Sequence, residues 1–216
     1  MKIFEFWHEV TDDKSGRYIH HEDEPVLSEL SHLIGDDLDF SFPPGPIFGP
    51  LKTAKIVLCY ANPGVDDLSL GTIQSPEFQT ELFEQLAGIN SYPHHLSGWK
   101  EWFSQRANSL FDGDIELAGK HISVFNLIPY ASVNMYRVEK VANCLPSVWV
   151  AQNYLRTVLI PKAKAGEVLL IMCRSGHLWG LKSAHGCGNI LINNVRTGFS
   201  QDVKKKVKEW RHLKGI

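Results

Sequence analysis

The chain has 216 residues and a formal net charge of -2 at pH 7. That length suits one large domain with a core of its own. That charge excludes a protein holding nucleic acid by bulk charge alone, though not one with a local basic face. Acids gather near the start, among them Asp12, Asp13, Glu22, Asp23, Glu24, Asp36, Asp37 and Asp39. Lys204, Lys205, Lys206, Lys208, Arg211 and Lys214 crowd the end. The opening MKIFEFWHEV has no apolar signal core, and no apolar run is long enough to span a membrane. The expectation is a cytoplasmic, monomeric protein with no membrane partner. Cys59, Cys144, Cys173 and Cys187 form no C-x-x-C pair, so no metal or other cofactor is expected. Cys59 and Cys173 lie in apolar runs and read as reduced core thiols.

Residues 1–40 read as an N-terminal extension packed on the domain, partly helical over 25–34, and residues 41–216 as the domain itself. Within the extension, His20-His21-Glu22-Asp23-Glu24 could hold a metal loosely but reads better as a solvated face. The Pro- and Gly-rich stretch 41–50 predicts an irregular lead-in. Residues 54–60 form a short apolar run stopped by Asn62-Pro63-Gly64, the pattern of a buried parallel strand. Helical spacing follows over 77–87 and 98–110. Residues 121–127 predict a second strand, ended by Pro129. Residues 147–165 predict a long helix, with Ser147 as N-cap and Pro161 interrupting its end. Strands over 167–173 and 189–195 and an amphipathic helix over 201–213 complete the chain. Strands alternating with helices predict a single three-layer α/β domain with a mostly parallel four-stranded central sheet flanked by helices.

In such sheets ligands bind beyond the carboxyl ends of the strands. The segments to watch are therefore 60–67, 126–132, 174–177 and 194–200. Asn62, fixed by Pro63 and turned by Gly64, can present its amide to a ligand, although Asn-Pro-Gly is also ordinary turn chemistry. Asn126 ends an apolar strand with a donor and an acceptor to satisfy, and can read the edge of a base or bond neighbouring backbone. Asn194, Arg196, Thr197, Phe199 and Ser200 share one loop, in which Arg196 suits a phosphate. Phe199 suits a wedge between bases, or else packing beneath the last helix. The pair His185 and Cys187 lacks an orienting acid and makes a poor nucleophile and base.

These strand exits resemble the uracil-DNA glycosylase superfamily, from about Gly45 to Ser200. Asn62-Pro63-Gly64 is similar to the N-P-G variant of that family's first motif. Asn126 falls where the family places a base-reading Asn. Val195 to Ser200 lies where the family has H-P-S-P-L-S, with Phe199 in place of the wedge Leu and Ser200 at the shared final Ser. The chain departs from the pattern at Tyr60, where the family usually has Gly. It departs again at Val195, where the motif His is missing and Asn194 is the nearest polar substitute, and at Arg196 and Gly198, which replace prolines.

The resemblance implies a DNA glycosylase that flips a damaged or modified base from duplex or single-stranded DNA and excises it. Asn62 would orient a water, with Asp66 or Asp67 adding a carboxylate. Tyr60, Gly64, Asn126 and Asn194 would hold the base. Arg196, Thr197, Phe199 and Ser200, with Lys204, Lys205 and Lys208, would hold the DNA. Gly64 replaces a Tyr that closes the pocket over C5 in the uracil-selective branch, which implies a C5-modified pyrimidine, as in repair or in defence against modified foreign DNA. The rival expectations are a nucleic-acid-binding module that has lost the chemistry and a small-molecule nucleoside hydrolase.

Overall fold

The structure is a computed structural model and describes residues 3–10, 16–181 and 186–216. Seven strands are β1 (Leu38–Asp39), β2 (Ile47–Phe48), β3 (Ile56–Tyr60), β4 (Ile122–Asn126), β5 (Ala131–Ser132), β6 (Leu169–Cys173) and β7 (Ile190–Asn193). Five of them form the central sheet in the order β2-β4-β3-β6-β7, while β1 and β5 make a two-stranded antiparallel ribbon. The four expected strands are the parallel ones. The fifth, β2, lies antiparallel on the edge of β4. The sheet is thus mostly parallel, with helices on both faces, as the alternation of elements predicts.

Edge strand β2 arises within the lead-in that composition marks as irregular. Ile47 and Phe48 are buried there, flanked by Pro and Gly that keep the pairing to two residues. Gly45 is required by close approach, since a Cβ on it would lie 2.9 Å from Pro63 Cγ and nearer still to the Phe48 ring.

The pleat sends alternate side chains to opposite faces. Val57, Cys59, Phe125, Leu170 and Met172 project into one core, which holds Val148, Ala151 and Leu155 of the crossover helix. Ile56, Leu58, Val124, Ile171 and Cys173 project into the other, with Phe103 and Ala107 from Trp99–Leu110 and Val203, Val207 and Trp210 from Gln201–Lys214. Cys59 and Cys173 are buried free thiols, as their apolar surroundings predict.

The N-terminal extension belongs to the first core. Ile3, Phe6 and Trp7 are buried in it, and Glu24–Glu29 and Ser31–Ile34 are short helices. His20 and Asp23 are also fully buried, which corrects the reading of their segment as a solvated face. Asp23 Oδ1 accepts from the backbone N–H of Ser147 at 2.9 Å, and Asp23 Oδ2 accepts from the Tyr130 hydroxyl at 2.7 Å. His20 stacks on Phe6 at 3.7 Å, and its Nε2 pairs with the Phe6 carbonyl at 2.9 Å.

These contacts change how the long helix begins. Pro146–Tyr154 starts one residue before Ser147, with Pro146 in the first turn. The Ser147 N–H, orphaned there, is capped across the fold by Asp23. Near its end Pro161 is accompanied by a break in the regular α-turns but does not stop the helix, in keeping with the expected span of 147–165. A π-turn at Leu155–Leu159 precedes it and the chain continues as Ile160–Lys164. A proline ring clashes with the carbonyl four residues earlier, and the wider turn relieves that clash without breaking the rod. Among the described residues, no helix is long and apolar enough to cross a membrane.

Candidate functional site

The strand order sets where a ligand can sit. From β3 the chain crosses to β4 on one side, and from β6 it passes to β7 on the other, so the carboxyl ends of β3 and β6 flank a topological switch point. A cavity of about 330 Å³ opens at this end of the sheet, against the helix Trp99–Leu110.

Tyr60 and Asn126 are paired in register as the last residues of β3 and β4. Alternation turns both toward the second core, on the same face as Leu58 and Val124. The cavity stands over them. Asn126 is 2% exposed, and its Nδ2 donates to the Gly45 carbonyl at 2.7 Å, which leaves Oδ1 with no hydrogen-bond partner among the described residues. Asn62 lies two residues beyond Tyr60. Its Nδ2 donates to the Pro63 carbonyl and to Ser132 Oγ, each at 2.7 Å, with the Tyr130 carbonyl at 3.5 Å. Two of these partners are carbonyls, which only accept, so they fix which end of the amide is nitrogen. Asn62 Oδ1 is therefore the end left free to accept a hydrogen bond.

The walls are aromatic. Phe48, Tyr92, Trp99 and Trp102 border the cavity with Phe42 and Tyr60. Tyr92 stacks on Phe103 at 3.9 Å, and Trp102 meets Tyr60 edge-on at 5.3 Å. Arg106 lies over the Trp102 ring at 3.6 Å, and its Nη1 donates to the Trp102 carbonyl at 2.8 Å. Arg174 enters from the exit of β6 with φ of 63°. Burial pushes the Tyr60 and Tyr92 phenols above their ordinary range, with Arg106 opposing the shift in both. Burial likewise pushes the Cys173 thiol up to about 12, against a hydrogen bond from Tyr60 and the charges of Arg106 and Arg174. The cavity at neutral pH therefore presents neutral phenols, two amides and two guanidinium groups beside the Asp66 side chain.

Of the sequence-predicted residues, Tyr60, Asn62, Gly64, Asp66 and Asn126 line this cavity together. A Cβ on Gly64 would meet nothing within 4 Å, so the space beside it is open. Asp66 is engaged as the N-cap of Asp67–Thr72, accepting from the Ser69 N–H at 2.8 Å. Asp67 is exposed and outside the cavity.

The loop after β7 does not reach the cavity. Asn194, Arg196 and Thr197 are exposed, and none of them lines it. The neighbouring Asn193 is the structural residue: its Nδ2 donates to the Gly198 carbonyl at 2.9 Å and its Oδ1 accepts from the Ser200 N–H at 3.0 Å. Phe199 is 7% exposed and packs in the core with Val203 and Val207, so the expected wedge is a core residue. Ser200 caps Gln201–Lys214 through its Oγ, which accepts from the Val203 N–H at 3.3 Å. Lys205 and Lys208 are exposed and Lys204 is half-buried, all outside the cavity.

Sequence reading missed Tyr92, Trp99, Trp102 and Arg106, while Ser132 and Arg174 lie within the strand exits it singled out. A signal was present in Trp99-Lys100-Glu101-Trp102-Phe103-Ser104-Gln105-Arg106, where two indoles and a guanidinium recur at helical spacing on one face. His185 lies outside the described residues, so its geometry toward Cys187 is not described. No group of acidic, His and Cys side chains able to hold a metal ion occurs among the described residues. Comparison of the chain with protein-family models, with curated proteins and with solved structures finds no match in any of the three.

Proposed function

We propose that the cavity takes a nucleobase flipped out of DNA and that the chain hydrolyses its N-glycosidic bond, with a C5-modified pyrimidine as the favoured base. The observation that carries this reading is the convergence of Asn62 and Asn126 in one aromatic-walled cavity, each with its amide nitrogen held by backbone carbonyls. Aromatic faces stack on a base, and a pre-aimed amide oxygen reads a donor on its edge. In the reaction the bond between C1′ and the base nitrogen breaks, and its electron pair leaves with the base. Water adds its oxygen to C1′; one of its protons stays on the new C1′ hydroxyl, and the other, passed through solvent, ends on the departed base. Asn62 Oδ1 orients that water and does not deprotonate it, because an amide is no base at neutral pH. Catalysis then rests on binding the separated charges more tightly than the ground state. The open space beside Gly64 accommodates a C5 substituent.

The test is excision from matched duplexes containing uracil, thymine or C5-modified cytosines. The expected result is cleavage of a modified cytosine above uracil, with a loss of about 100-fold in Asn62→Ala. Gly64→Tyr is expected to remove activity on bulky bases before it affects uracil. Cleavage of uracil alone counts against the favoured base, and no cleavage of any base counts against the enzyme. A second reading, a base-binding module without excision, draws support from Asp66. It is the only carboxylate lining the cavity among the described residues, and it is occupied as a helix cap. Tight binding of base-modified DNA with no product would favour that reading.

A further inference from the structure

Two arginines border the cavity, and neither is held in an ion pair among the described residues. Arg106 is half-buried and held in place by the Trp102 ring beneath it and by the hydrogen bond from its Nη1 to the Trp102 carbonyl. Arg174 reaches the same cavity from the end of β6, where its backbone N–H donates to the Asn193 carbonyl at 3.0 Å. Its left-handed φ of 63° is a conformation that side chains other than glycine rarely take, and such positions gather where a site demands a particular direction. The single carboxylate of the cavity, Asp66, has one oxygen committed to Ser69. Both guanidinium-bearing side chains line the one cavity.

We infer that Arg106 and Arg174 form an anion subsite within this cavity, so that its ligand is an aromatic ring bearing or joined to an anionic oxygen group. Resting on the nucleobase reading of the same cavity, the ligand is a pyrimidine nucleotide recognised through a carboxylate on its ring or through its own phosphate. A guanidinium stacked on an indole is pre-organised and presents its remaining N–H donors in a fixed plane, which suits the two oxygens of either group. The polar and charged lining residues divide the work. Asn62 and Asn126 offer amide oxygens to the neutral edge of the ring, and the arginines offer donors to its charged group.

Trp99 and Trp102 line the cavity, so ligand titrations can be read by intrinsic tryptophan fluorescence of the full chain. The probes are deoxycytidine, its 5-hydroxymethyl and 5-carboxyl derivatives, its 5′-monophosphate, and phenyl phosphate. At least one anionic nucleoside is expected to bind about tenfold or more tightly than its neutral counterpart. Arg174→Gln and Arg106→Gln are each expected to remove most of that preference while leaving the neutral nucleosides unchanged. Arg174 is exposed, so its variant keeps the test decisive should loss of the Arg106 stack disturb folding. Preference for the carboxyl derivative alone assigns the subsite to a ring substituent, and preference for the monophosphate alone assigns it to the nucleotide phosphate. Equal binding of charged and neutral nucleosides overturns the subsite and leaves the nucleobase reading standing. Arginine-dependent binding of phenyl phosphate with no nucleoside bound does the reverse. A preference untouched by both substitutions, or no binding of any anionic probe, overturns the inference.

Discussion

Asn62 owes its position to Ser132 as much as to its own turn. The Ser132 hydroxyl takes one amide hydrogen at 2.7 Å, and the backbone of β5 that carries it is bridged to Gly64. Ser132→Ala should leave the amide held by the Pro63 carbonyl and a long contact to the Tyr130 carbonyl, and loosen its orientation. The expected outcome is about a tenfold fall in excision with little change in stability, since one hydrogen bond of this kind contributes about 1 kcal/mol. Turnover measured beside a urea unfolding curve checks both parts.

The buried residues Asp23 and His20 make a second residue-scale prediction. Asp23→Ala strips the acceptor from the Tyr130 hydroxyl and from the Ser147 N–H, and should cost about 2–5 kcal/mol. His20 next to it is shifted below its ordinary 6.5, chiefly by desolvation. A histidine lowered on folding binds fewer protons in the native state. Its contribution is complete above 6.5 and is lost as pH falls from there through the folded value. Asp23 runs the other way: burial raises it above 3.8, so its contribution is complete below 3.8 and is lost as pH rises through the folded value. Where their windows overlap, the two slopes oppose each other. His20→Gln keeps a donor for the Phe6 carbonyl and removes the titration, so its stability should fall less on acidification than that of the parent chain. Urea midpoints on either side of pH 6.5 decide the matter, and equal slopes in both proteins would exclude His20 as the group.

The last helix connects the two ends of the sheet. Ser200 caps it just beyond β7, and Trp210 Nε1 donates to the Lys55 carbonyl at 3.0 Å, at the entry to β3. The helix thus runs from the carboxyl edge back to the amino edge, which places Lys204 and Lys205 nearer the cavity end than Lys208. Arg211 is spent structurally, on the Leu110 carbonyl and on Asp112, each at 2.9 Å. If Arg196, Lys204 and Lys205 hold DNA, each Ala substitution should flatten the salt dependence of binding by about one unit of slope. Unchanged slopes in all three would place the nucleic acid elsewhere. Phe199 makes the contrasting prediction. As a core side chain it should cost about 3–5 kcal/mol on truncation to Ala, read as a shift in the unfolding midpoint. A fully stable Phe199→Ala chain that had lost only DNA binding would restore the wedge.

At the scale of the molecule, the N-terminal extension and the last helix lie on opposite faces of the sheet, since Phe6 and Trp7 join one core and Val203 and Val207 the other. The described apolar residues of the extension therefore lie across the sheet from those that anchor the last helix. The extension's apolar side chains are part of the core, so replacing Phe6 and Trp7 together with Ala should destabilise by well over the roughly 3–5 kcal/mol of one such truncation. A thermal or urea unfolding curve close to that of the parent chain would show that the segment is dispensable.

Local pattern determined a good deal of this protein. Residues 54–60, 121–127, 167–173 and 189–195 are apolar runs of strand length, and a run buried on both faces needs no partner to identify it. Alternation with helices then placed Tyr60, Asn62, Gly64 and Asn126 at the carboxyl ends, where the cavity lies. Tertiary structure decided the rest. Ile47–Phe48 became a strand because β4 had an open edge beside it, which two residues between prolines cannot announce. Asp23 looked like one acid among many until the Ser147 N–H and the Tyr130 hydroxyl, more than 100 residues away, closed on it. Whether Phe199 faced solvent or core, and whether Asn193 or Asn194 turned inward, depended on where the chain left β7, and one residue of register reverses both. Arg174 lay in an expected strand exit, but the aromatic wall with Arg106 was hidden for the same reason. Its members come from a helix, from strand ends and from loops far apart in sequence, and only packing across the sheet brings their charges and rings into one cavity.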